Sequence, residues 1–142
     1  MKKRFLYLII PIITLVLESL PYGAVCIFAT SPTERVRETF SYFDLTPFGY
    51  ANFTPFFTAI ITCIVFILLI AYCIKGNPNA AIKAKNILYV AAVMSLGALI
   101  FGIEYYPIVA GLITLTLVAE LLLLQFTIKS RQSDKLEFDK GV

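Results

Sequence analysis

PFFTAIITCIVFILLIAYCI, residues 55–74, runs from proline to isoleucine without one charged side chain. A hydrocarbon core of roughly 30 Å is crossed by about 20 such residues in a helix, so this stretch by itself predicts a membrane-crossing helix. The apolar positions are continuous rather than alternating, which argues against a barrel strand with one wet face. Thr54-Pro55 opens the run, with proline at the first helical position. Lys75-Gly76-Asn77-Pro78 closes it with a glycine cap and starts another helix.

Three further runs of similar character flank it, at residues 5–29, 82–103 and 107–128. The whole 142-residue chain is 59% hydrophobic and 15% charged, with a mean hydropathy of +0.85, which excludes an ordinary soluble domain. The expected architecture is all-α: an integral membrane four-helix bundle filling residues 1–128, followed by a charged tail at 129–142. The first run is longer than the apolar region of a signal peptide, and Glu18 and Pro21 interrupt it, so an uncleaved anchor is expected. Glu104-Tyr105-Tyr106-Pro107 leaves room only for a tight turn, which makes the last two helices antiparallel neighbours. Ala91, Ser95, Ala98 and Gly102 give the third run a nearly bare face suited to close helix packing.

Basic residues set the orientation. Lys2, Lys3 and Arg4 precede the first run, Lys75, Lys83 and Lys85 lie around the second connection, and Lys129, Arg131, Lys135 and Lys140 follow the last run. Only Arg35 and Arg37 lie on the other side. Both termini are therefore expected in the cytoplasm of a multi-pass protein of the cell membrane. The net charge of +3 is accounted for by this flank facing anionic headgroups, and no nucleic acid is implied.

The outer loop, residues 30–54, carries its own signals. Ser31-Pro32-Thr33-Glu34 has the form of a capping box, and Val36, Phe40 and Phe43 follow at helical spacing, so a short amphipathic helix is expected there. Thr46-Pro47-Phe48-Gly49 is a turn signal. The aromatic residues Phe40, Phe43, Phe48, Tyr50 and Phe53 make this loop a candidate docking surface as well as an interfacial belt.

Glu18 and Glu120 are the two acids stranded inside apolar runs. An ionisable group near mid-bilayer costs at least about 2.5 kcal/mol on insertion scales, so both are candidate proton- or cation-binding residues. Depth along the helices separates them, and each is expected to be a site of its own. Thr58 and Thr62 reach the expected depth of Glu18, with Tyr22 one turn beyond it on a continuous first helix and Pro21 freeing the Leu17 carbonyl for it. Thr116 precedes Glu120 by one turn, and Gln125 is near in sequence.

The chain has no histidine, and Cys26, Cys63 and Cys73 form no Cys-x-x-Cys pair. His-ligated metal or haem sites and paired-thiol redox chemistry therefore find no residues, and the cysteines are expected to pack as small apolar groups. No phosphate loop or nucleophile elbow is present. The expectation is a non-enzymatic protein with no metal and no cofactor.

Four helices with a glutamate in the first resembles the small multidrug transporters, in which that residue binds proton and cationic drug in turn within a dimer. The resemblance covers Glu18 and the helix count, and the long structured outer loop and fixed charge bias depart from it. Residues 18–25 and 40–53 look like small bacterial membrane proteins of unassigned function, which implies a bacterial origin and no activity. The leading expectation is an accessory or assembly subunit that meets a membrane-protein partner, or a second copy as a homodimer, through its aromatic loop. The alternative is a proton-coupled transporter of a small solute using Glu18.

Overall fold

In a computed structural model the chain is mostly helical, and residues 2–32, 34–44 and 52–140 are described. A 3-10 segment, Lys2–Leu8, leads into α1 (Ile9–Ser19), which is followed by a hairpin of β1 (Ala24–Ala29) and β2 (Arg35–Phe40). Then come α2 (Thr54–Lys75), α3 (Pro78–Ser95), two short 3-10 turns at Gly97–Phe101 and Ile103–Tyr105, and α4 (Ile108–Lys140). Three helical segments, Thr54–Lys75, Pro78–Phe101 and Ile108–Ser130, are long and apolar enough to cross a membrane, and Phe5–Ser19 is a shorter apolar helix.

The first apolar run is not one helix through residue 29. Proline disfavours a helical conformation in the residue before it, and Leu20, ahead of Pro21, is extended at φ −72°, ψ 140°. Helix α1 therefore stops at Ser19, where the Leu20 N–H bonds the Leu17 carbonyl at 3.2 Å. That bond also removes the free Leu17 carbonyl expected from a proline kink. Beyond the turn, Val25, Ile27 and Phe28 meet a partner strand, which suits their β-branched and aromatic character.

That partner is the segment expected to be an amphipathic helix. Arg35–Phe40 pairs antiparallel with β1, from Ala24 opposite Phe40 to Ala29 opposite Arg35. The Ser31 signal operates, with a different result: the Glu34 N–H donates to Ser31 Oγ at 3.0 Å, and the Thr30 N–H bonds the Glu34 carbonyl at 3.1 Å. A serine accepting from the residue three positions on closes a turn as readily as it caps a helix, and here it closes the hairpin.

The caps of α2 and α3 follow the sequence. Gly76 takes the left-handed conformation at φ 68°, and its N–H bonds the Tyr72 carbonyl at 2.8 Å. Asn77 then caps α3 by accepting from the Asn79 N–H at 3.0 Å. The third run is helical only to Ser95. There the Ser95 hydroxyl bonds the Ala92 carbonyl at 2.8 Å, and the chain tightens into 3-10 turns before Gly102, at φ 127°.

Helix α3 packs against α2 and α4, and α1 lies against α4 and α2. The small face of α3 is buried at Ala84, Ala91 and Ser95, and Ala98 of the following 3-10 turn is buried as well. The core joins Val65 and Leu69 of α2, Leu88 of α3, and Ile113, Leu117 and Leu124 of α4, with Ala24 and Tyr42 of the hairpin region closing one end. Ile67, Ile74, Val93, Leu115 and Phe126 point outward and are exposed. An apolar rim around an apolar core suits a protein solvated by hydrocarbon.

Candidate functional site

Helices α1 and α4 run antiparallel, and two hydroxyl contacts record their register. At the far end from the hairpin, Thr127 Oγ1 donates to the Tyr7 hydroxyl at 3.1 Å. Midway, Thr14 Oγ1 donates to Thr116 Oγ1 at 2.9 Å. Glu18 lies one turn beyond Thr14 towards the hairpin, and Glu120 one turn beyond Thr116 the other way.

Side chains on a helix lean towards its N-terminus. In this antiparallel pair Glu18 therefore leans back towards Thr14 and Glu120 back towards Thr116, so the two side chains lean towards one another from either side of the hydroxyl contact. Glu18 is one of the contributors to the electrostatic environment of Glu120. Counting depth along each helix sets the two acids apart, and the opposed lean of the side chains narrows that separation.

Both acids are sealed, Glu18 at 0% and Glu120 at 1% exposure. Thr62 of α2 donates to Glu18 Oε1 at 2.9 Å and lies equally close to the Thr58 carbonyl, at 2.9 Å. Glu18 Oε2 and both Glu120 carboxyl oxygens have no hydrogen-bond partner. Thr58 and Thr62 are fully buried, and Thr58 donates back to the Thr54 carbonyl at 2.7 Å. Thr116 donates to the Ile113 carbonyl at 2.8 Å.

Other expected members fall elsewhere. Tyr22 is 58% exposed, because α1 ends before it and no helical turn carries it back to Glu18. Gln125 donates to the Tyr89 hydroxyl. Phe40 is half-buried and packs against the core, whereas Phe43 and Phe53 are exposed. Phe48 and Tyr50 lie outside the described residues.

Three groups escaped the sequence reading. Thr14 joins the seam, and its place one turn before Glu18 was a usable signal. Tyr42, 2% exposed, is held by its N–H to the Glu18 carbonyl at 2.9 Å, which anchors the hairpin to the end of α1. Burial, the Tyr106 phenol and the Glu18 carboxyl all push the Tyr42 phenol up from its ordinary range. Ser95, Thr114 and Tyr106 form a third polar group, with Thr114 at 2.9 Å from Ser95 and 2.6 Å from the Tyr106 hydroxyl.

Cys26 and Cys73 are buried and Cys63 is half-buried. Burial pushes the Cys26 thiol up, and Glu38, its cross-strand partner, adds to the effect. Among the described residues, no group of three or more Cys, Asp or Glu side chains is arranged to hold a metal ion. At the hairpin end, Tyr22, Arg37, Thr39, Tyr106, Pro107 and Ile108 line an open depression of about 450 Å³. No known family, curated protein or solved structure matches this chain.

Proposed function

We propose that the chain is a multi-pass protein of the cell membrane, with both termini cytoplasmic, that serves as a non-enzymatic accessory or assembly subunit. Support for four crossings comes from α1 as well as the three long helices. From Phe5, four 3-10 residues at about 2.0 Å each and the eleven residues of α1 at about 1.5 Å each reach roughly 25 Å, close to the hydrocarbon thickness. The ten basic residues on the other flanks, against only Arg35 and Arg37 in the hairpin, support an outer side for the hairpin.

The observation that carries the subunit reading is the hairpin end itself. Its strands are anchored to the bundle through Tyr42, yet Tyr22 and Arg37 line an open depression and Phe43 and Phe53 stay exposed. Aromatic side chains with an arginine are the composition of protein-contact hot spots. The partner is a membrane protein or a second copy of the chain. A photo-crosslinker placed at Phe43 or Phe53 is expected to give a discrete protein adduct in native membranes, while the same group at Ile67 or Val93 gives lipid adducts. Lipid adducts alone from all four positions would overturn the reading.

A second reading, proton-coupled movement of a small solute with Glu18 as coupling acid, draws on one observation: the orphan carboxyl oxygens at the α1–α4 seam.

A further inference from the structure

We propose that Glu18 and Glu120 form a single proton-binding unit, in which the two carboxyls retain one proton between them and exchange a second with the outside. The inference rests on the bundle being membrane-embedded. It does not require that the protein transports anything.

The seam is short of hydrogens. A carboxylate is an acceptor only, and four acceptor oxygens are sealed at this seam. One of the four, Glu18 Oε1, has a protein partner, Thr62. Thr62 has a single hydroxyl hydrogen and two acceptors at 2.9 Å, Glu18 Oε1 and the Thr58 carbonyl. When that hydrogen serves the Thr58 carbonyl, the contact with Glu18 is satisfied only by a hydrogen on the carboxyl, donated to Thr62 Oγ1. A proton on Glu18 therefore completes a chain from carboxyl to hydroxyl to backbone carbonyl that the bare carboxylate leaves one hydrogen short.

Glu120 has the same need and no protein donor at either oxygen. Two like charges that converge in a medium poor in water repel, and such a pair loses and gains protons in steps that belong to the pair. The other titratable groups that sense Glu18 are Cys63 on α2 and Tyr42 behind the hairpin. Neither supplies positive charge. Among the described residues, no lysine or arginine contributes to the surroundings of either acid, so protons are the neutralising cations that the arrangement calls for. Uptake forms one O–H bond at a carboxylate oxygen and leaves the donor hydronium as water; release is the reverse.

The pairing distinguishes this site from a lone membrane glutamate. Its prediction is that each acid's titration depends on the other. Infrared difference spectra of the full chain in liposomes, taken through a pH series, follow the carboxylic C=O bands of the two acids. Two proton uptake steps, well separated, are expected in the wild type, and one simple step in Glu18→Gln and in Glu120→Gln. If the wild-type curve is the plain sum of the two single-variant curves, the acids are independent and the proposal is overturned.

If either glutamine variant fails to fold, Glu18→Asp or Glu120→Asp takes its place: drawing one carboxyl back is expected to shift the pH at which the other acid's band titrates, and an unshifted band overturns the proposal. The series is repeated with Na⁺ in place of choline. Unchanged bands are expected, and loss of the carboxylic bands in Na⁺ would make a metal cation the occupant and overturn the proton assignment. Membrane embedding is read separately by cysteine labelling at the two ends of the bundle, so its failure is distinguishable from failure of the pair.

Discussion

Thr62 and Glu18 meet at 2.9 Å across the α1–α2 contact, and the second oxygen of the same carboxyl meets no donor. The bundle thus holds a polar group that is half satisfied rather than absent or fully paired. In hydrocarbon, helix association draws on packing and on such bonds rather than on exclusion of water. Single hydroxyls at the seam consequently have unequal effects, according to what each leaves behind when removed.

Thr62→Val is expected to cost about 1–3 kcal/mol, the range for leaving a buried polar group without its partner. Thr14→Val removes a bond between two hydroxyls that each have a backbone carbonyl alternative, Ile10 for Thr14 and Ile113 for Thr116. Its cost should be near 0.6 kcal/mol, the average for side-chain bonds between membrane helices. Unfolding in mixed micelles ranks the two. Glu18→Leu combined with Thr62→Val should regain most of the loss, because the Glu18 carboxyl that Thr62→Val strands is then gone; equal losses in the single and double variants would contradict this expectation.

Glycine positions give a second, purely steric expectation. A Cβ on Gly97 would stand 2.5 Å from Thr54 Cγ2, whereas a Cβ on Gly111 would stand 3.7 Å from the Tyr106 ring. The first distance forces the start of α2 away from the turn after α3. Gly97→Ala is expected to destabilise by about 1–3 kcal/mol, as overpacking does, and Gly111→Ala to be near neutral or stabilising in its helix. Thermal unfolding of the two variants in one detergent compares them directly.

The long apolar helices were legible because lipid-length runs leave few alternatives, and the caps at Gly76 and Asn77 are local chemistry visible in four residues. The hairpin was not legible. Ser31-Pro32-Thr33-Glu34 makes the same hydrogen bond in a helix start and in a tight turn, and only the pairing of Val36 and Thr39 with Phe28 and Val25, distant in sequence, decides between them. The same blindness hid how Glu18 and Glu120 lie relative to one another. Each acid was visible as an anomaly in its own run, but their relation depends on the register between α1 and α4, which the Thr14–Thr116 contact sets and no local pattern announces.

Alkaline pH should loosen the hairpin. Burial and Glu38 raise the Cys26 thiol above its ordinary 9.0, and burial, with Tyr106 and Glu18, raises the Tyr42 phenol above 10.0. Each folded group holds its proton to higher pH than the unfolded one, so between the two values the folded state binds more protons. Stability is then full below the unfolded pKa and falls as pH rises through the folded one. The expected loss therefore begins near pH 9 and continues above pH 10. Hydrogen exchange at the β1 and β2 amides, compared with α2, is the readout. The Cys26→Ala, Tyr42→Phe double variant should flatten the alkaline decline, and an unchanged decline would assign it to other groups.

Sidedness follows from where the basic residues lie relative to the hairpin. Pro32 sits at the exposed tip between β1 and β2, and Asn79 at the exposed start of α3, at the opposite end of α2. With Lys75, Lys83 and Lys85 beside Asn79 and only Arg35 and Arg37 near Pro32, the bias towards cytoplasmic lysine and arginine predicts Pro32 outside. A cysteine at Pro32 is expected to react with a membrane-impermeant maleimide in intact cells, and a cysteine at Asn79 only after permeabilisation. Buried Cys26 should add little background, and half-buried Cys63, on a face of α2 between Thr62 and Ile64, should be shielded by lipid. Inverse labelling would reverse the orientation while keeping the crossings. Equal labelling of both positions in intact cells would remove the crossing of α2 itself, because that helix is all that separates the two ends in the chain's path from hairpin to α3.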